Sequence, residues 1–264
     1  MKKLAISNQK GGVGKTTIAI HIALQAKSMG YKVLFVDLDI QANSSMFMQE
    51  YIEKSQNLQT MSMVPTAQLF SEDSDLSAIQ NKELGLCFAD TDFADLLTDD
   101  NLDIDAWKQN LDTLNEHFDL CVIDTPPTLS TSQIAAMVIA DYVISPIELN
   151  NYSVQGVINF SNTVDGIKAH YNPNLEFLGL IPSRVNKNNH HQLSILAELQ
   201  KEFADRMFPG DFYIPERQAF SETSSLFMPI WEFKQKAAKK VANNVRPYFE
   251  YIVNKVMIEE KKGR

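Results

Sequence analysis

The segment "NQKGGVGKTT", residues 8–17, follows directly on the apolar run Leu4-Ala5-Ile6 and precedes a helical pattern; no other stretch restricts the chain so tightly. Gly11, Gly12 and Gly14 carry no Cβ, so their backbone N–H groups can turn inward and approach an anion closely. Strand, glycine-rich loop and helix in that order make the setting of a phosphate-binding loop. Lys15 supplies a point charge for β- and γ-phosphates and Thr16 a hydroxyl for Mg2+, while the helix opening at Thr16 aims its positive dipole end at the same place. The strict pattern G-x-x-x-x-G-K-[ST] is missed, because Gln9 stands where the first glycine belongs. Context carries the reading instead. Lys3 to Asn8 reads as a buried strand; Ile18, Ile22 and Ala26, with Ala19 and Ala23 between them, form an apolar stripe on a helix that ends near Gly30 as its C-cap.

Further apolar runs at 32–37, 86–89, 119–124, 142–147 and 177–182 are short, rich in Val, Ile, Leu and Phe, and separated by helical patterns. With the run at 3–8, they predict an α/β fold: a P-loop NTPase-like, mostly parallel sheet with helices on both faces and the nucleotide at the carboxyl ends of the strands. At 264 residues and 44% hydrophobic content, residues 1–264 can bury one large core as a single domain. Cys87 and Cys121 lie in apolar segments and read as small core hydrophobes. The longest apolar passage, around Ala135 to Ile147, is broken by Asp141 and Pro146, so neither a membrane span nor a secretion signal is expected.

Asp124 ends an apolar strand, where a carboxylate is costly unless it faces a cation or donors; it is expected to hold the Mg2+ shell through water or to bond Thr16, with a helix N-cap as the other reading. Asp37 and Asp39 flank Leu38 at the end of the second strand, and alternation places both on one side. Residues 71–119 hold fourteen Asp or Glu against only Lys82 and Lys108, a solvated surface to which no chemistry is assigned, "TDDNLDID" included. The pair His190-His191 has no carboxylate or cysteine beside it and reads as solvated.

Residues 10–17, "KGGVGKTT", resemble the deviant Walker A box of the ParA/MinD family of ATPases, in which an extra lysine precedes the glycines. Two further boxes are similar to that family's: "VLFVDLDIQANSS" at 33–45 to its Walker A' segment, with Ile40 and Ala42 replacing a proline and a glycine, and "LCVIDTPP" at 120–127 to its Walker B strand. "SPIELNNYSVQGV" at 145–157 and "IPERQAFSETSSLFMPI" at 214–230 look like weaker landmarks. The resemblance implies an ATPase using ATP and Mg2+, with the nucleotide on Gly11, Gly12, Val13, Gly14, Lys15, Thr16 and Thr17 of the loop at 9–17. It implies that Lys10 reaches across a homodimer interface to the nucleotide of the other subunit, that Asp39 orients the attacking water, and that Asp37 supports the metal site of Thr16 and Asp124. Lys10, Lys15 and Asp39 are thus the catalytic set, equipment sufficient for slow phosphoryl transfer to water. Asn186, Ile214 and Pro215 would line the base with Arg184 nearby, though each is equally explicable as an ordinary loop residue. A relative, the nitrogenase iron protein, bridges a cluster with two cysteines per subunit, but there the second follows the Walker B strand, whereas Cys121 precedes Asp124 inside it.

Three functions fit such an ATPase: a ParA-type DNA-segregation protein whose ATP-dependent dimer binds nonspecific DNA and answers to a centromere-binding partner, a MinD-like protein docking on membrane, and a small-molecule kinase or synthetase. Lys10 argues against the third, since a signature lysine serves a nucleotide-sandwich dimer. Val245, Tyr248, Phe249, Ile252, Val253, Val256 and Met257 form a helical stripe, with Pro247 suited to the first turn; closure on the protein's own core is expected over membrane docking, because the tail "EEKKGR" lacks a basic-aromatic tip. The loop begins almost at once in this sequence, so a helix-turn-helix domain ahead of it is not expected, and specific DNA recognition would fall to the partner. The net charge of -9 is uneven: residues 234–264 hold nine Lys or Arg against three Glu. Within the basic helical segment at 234–258, Lys236, Lys239 and Lys240 share one helix face and, with Arg246, are the expected DNA contacts of a cytoplasmic, nucleoid-associated protein.

Overall fold

The computed structural model describes all residues except 56–58, 99–101, 211, 217 and 259–264. Among the described residues there are seven strands: β1 (Lys2–Ile6), β2 (Val33–Asp37), β3 (Met61–Pro65), β4 (Leu84–Phe88), β5 (Leu120–Asp124), β6 (Tyr142–Glu148) and β7 (Glu176–Ser183). They form one sheet in the order β3-β4-β2-β5-β1-β6-β7, and every pairing is parallel. The helices are α1 (Lys15–Ser28), α2 (Asn43–Ser55), α3 (Thr91–Thr98), α4 (Ile104–Thr113), α5 (Thr131–Ile139), α6 (Ser153–His170), α7 (His190–Glu202), α8 (Gln218–Leu226) and α9 (Lys236–Ile258).

Parallel strands need crossovers, and the crossover helices bury both sheet faces; hence β2 and β5 are buried at every position and read as unbroken apolar runs. The period of two sorts the side chains. Leu4, Ile6, Val33, Phe35, Leu120 and Val122 face a layer containing α1, α2 and α9, while Ala5, Leu34, Val36, Cys121 and Ile123 face Trp107 of α4 and Phe160 of α6. Cys87 and Cys121 are buried free thiols in the second layer, and burial raises the Cys121 thiol to about 12, so neither is a poised nucleophile.

Six of the seven strands coincide with the apolar runs. β3 does not: it is an edge strand in which only Met61 and Val64 are fully buried, so its apolar signal is weaker than that of a central strand. At the other end of the chain, the α9 stripe is buried as expected, with Val245, Phe249, Ile252, Val253 and Val256 packed in the layer shared with α1. Pro247, expected in a first turn, sits inside α9 instead. The helix starts eleven residues earlier, at Lys236. An interior proline removes one helical hydrogen bond, to the carbonyl of Asn243; that residue is exposed, where water can take the bond, and the buried stripe holds the helix together through the proline. Among the described residues, no helix is long and apolar enough to cross a membrane.

Candidate nucleotide site

The order of strands places β2, β5, β1 and β6 side by side, and the loops at their carboxyl ends converge on one cleft. Asn8, two residues past the end of β1, is fixed to β6: its Nδ2 donates to Ser145 Oγ (2.9 Å) and to the Pro146 carbonyl (2.8 Å), and its Oδ1 accepts the Lys10 N–H (2.8 Å). Gln9, the residue that spoils the strict pattern, donates from Nε2 to Thr163 Oγ1 on α6 at 2.9 Å, so the loop is tied to two elements before it turns. Gly14 caps α1 at φ 94°, and a Cβ there would lie 2.9 Å from Ser183 Oγ; conformation and space both demand glycine. Val13 is buried, leaving only its backbone for an anion.

The cleft has a volume of about 390 Å3 and is walled by Gly11, Gly12, Gly14, Lys15, Thr16 and Thr17 on one side, and by Asp39 and α8 on others. Lys15 is buried; its ammonium donates to the Lys10 carbonyl at 3.1 Å, and desolvation lowers its pKa against the opposing pull of Asp124 and Asp39.

Asp124 is fully buried, yet neither carboxylate oxygen has a hydrogen-bond partner, and neither does the Ser44 hydroxyl. Burial, then the charge of Asp37, pushes its carboxyl up to about 8, while the nearby Thr16 and Ser44 hydroxyls and Lys15 act in the opposite sense. Two orphaned carboxylate oxygens near the Thr16 hydroxyl are the donor set that an octahedral, water-retaining Mg2+ takes. The N-cap reading of Asp124 fails, since α5 starts at Thr131 and is capped by Ser130.

Asp37 plays a different part. Its Oδ2 accepts the Ser45 N–H (2.8 Å) and the Ser45 hydroxyl (2.6 Å), and its Oδ1 accepts the Asp39 N–H (3.0 Å). It therefore fixes the start of α2 and backs the metal position without offering it a free oxygen. Strand alternation does not place Asp39, because β2 ends at Asp37. A turn does: Asp39 Oδ1 accepts the Gln41 N–H at 3.0 Å, and the side chain is half-buried in the cleft wall.

An adjoining groove of about 350 Å3 shares Gly12, Gly14, Thr17 and Ser224 with the cleft and is lined further by Arg184, Ile214, Pro215 and Phe220. The structure thus brings Ile214 and Pro215 to the P-loop. Asn186 it does not: its N–H goes to Gln192 and its Oδ1 accepts the Asn188 N–H, a local loop network outside the groove lining. Lys10 also lies outside the cleft, its ammonium 3.2 Å from Glu148 Oε2. On α9, Lys236, Lys239 and Lys240 are exposed, opposite the buried Ala238, Ala242 and Val245. Arg246 departs from that group. Its Nε donates to Gln25 Oε1 (2.8 Å), an Nη reaches Ser28 Oγ (3.3 Å), and the guanidinium lies 5.2 Å from the Trp231 ring centre, so it fastens α9 to α1. Lys261, Lys262 and Arg264 lie outside the described residues.

Sequence reasoning missed His21 and the wall made by Thr223 and Ser224 of α8 and by Phe227 just after it. The wall lies inside the landmark at 214–230, which marked the segment without assigning its residues. His21 carries no local signal beyond its place on the buried face of α1.

A glycine loop opening a helix at the carboxyl edge of a parallel sheet, with Lys15-Thr16 facing a buried, unpartnered Asp124, defines a P-loop nucleotide-binding protein. Residues 1–177 match the family model described as an AAA domain. The chain is 32% identical to Protein IncC of Escherichia coli over 98% of its own length and 71% of that protein's. It is 28% identical to the chromosome partitioning protein ParA of Caulobacter vibrioides, with 90% and 89% covered. Among solved structures, a plasmid partition protein of Borrelia burgdorferi B31 bound to AMPPNP superposes with a TM-score of 0.72 at 26% identity, covering 95% of this chain and 98% of that one. A cobyrinic acid a,c-diamide synthase of Mycobacterium smegmatis with bound ATP analog and magnesium gives 0.72 at 25%, covering 100% and 97%. The chain belongs to the AAA-domain family, within its ParA-like group.

Proposed function

We propose that this protein is a ParA-type segregation ATPase: a homodimer closed by ATP and Mg2+ binds nonspecific DNA, and a centromere-binding partition protein stimulates hydrolysis and release. The carrying observation is the pair of unpartnered buried carboxylate oxygens of Asp124 near Thr16, behind a loop whose glycines offer only backbone to a phosphate. Gly11, Gly12, Val13 and Gly14 present N–H groups to the phosphates, Lys15 neutralises them, and Thr16 with Asp124 holds the metal shell. Held there by Thr16 and Asp124, Mg2+ would supply positive charge to the phosphates during transfer. Asp39, anchored by its turn, is positioned to hold a water in line, and Lys10 serves the nucleotide of the second copy. Likeness to named partition proteins supports segregation as the purpose, and the exposed trio Lys236, Lys239 and Lys240 supplies cations for DNA phosphates. Membrane docking is disfavoured because the α9 stripe is already buried against the core. On this reading the protein works in the cytoplasm at the nucleoid.

The test is fluorescence anisotropy of a labelled duplex of arbitrary sequence, beside flotation with anionic liposomes, each with and without ATP and Mg2+. DNA binding that requires ATP, with turnover that needs no small-molecule acceptor, is the expected result. Liposome binding in place of DNA binding would move the protein to the MinD-like function, and turnover only with an acceptor would move it to a synthetase.

A further inference from the structure

Two lysines of the loop are joined through one carbonyl. Lys15 Nζ donates to the Lys10 C=O at 3.1 Å, and the Lys10 N–H donates to Asn8 Oδ1, itself fixed to β6. The Lys10 side chain then runs out of the cleft to the last residue of β6, where Nζ stands 3.2 Å from Glu148 Oε2. Glu148 is held in turn, its carbonyl accepting the Ser153 hydroxyl at the start of α6 at 2.7 Å.

We propose that Glu148 is a positioning residue that retains Lys10 against its own subunit until phosphate binding at Lys15 lets Lys10 go to the second copy. This rests on the trans role of Lys10 given above. The physical basis is a competition between acceptors. The Lys15 ammonium donates to a neutral carbonyl, and the anionic oxygens of a β,γ-phosphate accept stronger bonds from the same ammonium. Once Lys15 turns to them, the Lys10 carbonyl loses its donor and one of the two main-chain anchors of the residue is gone. The remaining contact is an ion pair between side chains 47% and 29% exposed, the kind that contributes little in water. A weak pair is what such a release requires, because it orders a long side chain in the free monomer yet yields to the denser charge of a triphosphate on a second subunit. Glu148 therefore opposes dimerisation slightly, and removing its charge should favour the dimer.

The experiment is sedimentation velocity with AMPPNP and Mg2+ on the parent, Glu148→Gln, Lys10→Ala and the double variant. Glu148→Gln should reach half-dimer at about two- to fivefold lower protein concentration than the parent. Lys10→Ala should need a much higher concentration than the parent, and the double variant should match it, since no ammonium remains to be released. Glu148→Asp, too short to make the contact but still charged, should behave like Glu148→Gln, and the gain should shrink at about 0.5 M salt, where an exposed pair is screened. If Glu148→Gln dimerises no better than the parent while Lys10→Ala is defective, Glu148 does not retain Lys10 although the trans role stands. Dimerisation of Lys10→Ala at the parent's concentration removes the trans role and this inference together.

Discussion

His21 shows how much one side chain settles at the back of the nucleotide cleft. Its ring is 1% exposed, with Nδ1 2.6 Å from the Thr17 carbonyl and Nε2 3.2 Å from the Ile230 N–H. A carbonyl accepts only and an amide N–H donates only, so Nδ1 carries the proton and Nε2 is the acceptor. Phe249 stacks on the ring at 5.3 Å and the edges of Phe220 and Trp231 surround it, leaving no acceptor for a second proton. Burial accordingly lowers the pKa from 6.5 to about 4, with the Thr17 carbonyl opposing. Between those values the unfolded chain binds a proton that the folded one refuses. Stability from this group is therefore complete above the unfolded pKa and is lost as pH falls toward 4, by about 3 kcal/mol. We predict that His21→Phe, which keeps the ring but not the acceptor, is about 1–3 kcal/mol less stable at neutral pH because the Ile230 N–H is orphaned, and has a correspondingly flatter pH dependence from 7 to 4. Urea unfolding at several pH values checks this; parallel curves for the two proteins would show that His21 is not held neutral. Lys15, Thr16 and Asp124 were legible from sequence because their chemistry is written in a contiguous loop and a strand end. His21 was not, since its second partner lies 209 residues away.

At the scale of elements, α9 has a core face and a solvent face, and on the proposed function substitutions on the two should have separate effects. One face carries Val245, Phe249 and Ile252 into the core with Arg246 fastened at its edge to Gln25, Ser28 and Trp231. The other shows Lys236, Lys239 and Lys240 to solvent in the first turns. Replacing the trio by Ala should leave the melting temperature nearly unchanged, since exposed substitutions away from special features fall within about 0.5 kcal/mol, while DNA binding weakens equally for all sequences. Arg246→Ala should do the reverse, costing about 1 kcal/mol or more through lost bonds and packing, with little effect on DNA affinity once folded. A melt and a DNA titration on both variants decide it; a trio variant with normal DNA binding would put the contact surface elsewhere, with Arg184 and Lys187 next in line. The same helix shows what pattern reading conveys and where it stops. Its apolar stripe was legible because period 3.6 survives in the sequence, but its start was not, because Ala237 to Asn244 fully buries only the small Ala238 and Ala242, with Val241 half-buried beside them, and Pro247 imitates a beginning. β3 went unread for a related reason: an edge strand buries less, and Ser62 and Pro65 dilute what remains.

For the whole molecule, the difficulty is a protein of net charge -9 that is proposed to bind a polyanion. Long-range repulsion is screened beyond about 8–10 Å near physiological salt, so the local patch decides, and one protomer offers a modest one. Neutralising three phosphates with Lys236, Lys239 and Lys240 gives a dependence of log K on log salt of about -3, in the range of weak nonspecific contact. A dimer that presents both patches to one duplex engages up to twice as many phosphates, and the slope should steepen toward about -5. On the proposed function ATP acts only through dimer closure, so the slope itself would report assembly. We predict that the parent protein with ATP and Mg2+ shows the steeper value and a much higher affinity at low salt. Lys10→Ala, unable to complete the dimer, should retain about the shallow slope in every nucleotide state. Anisotropy of a labelled duplex from about 50 to 200 mM salt measures both. Equal slopes for the parent with ADP and with ATP would mean that DNA is bound by the monomer, and the coupling of nucleotide to DNA through assembly would have to be abandoned.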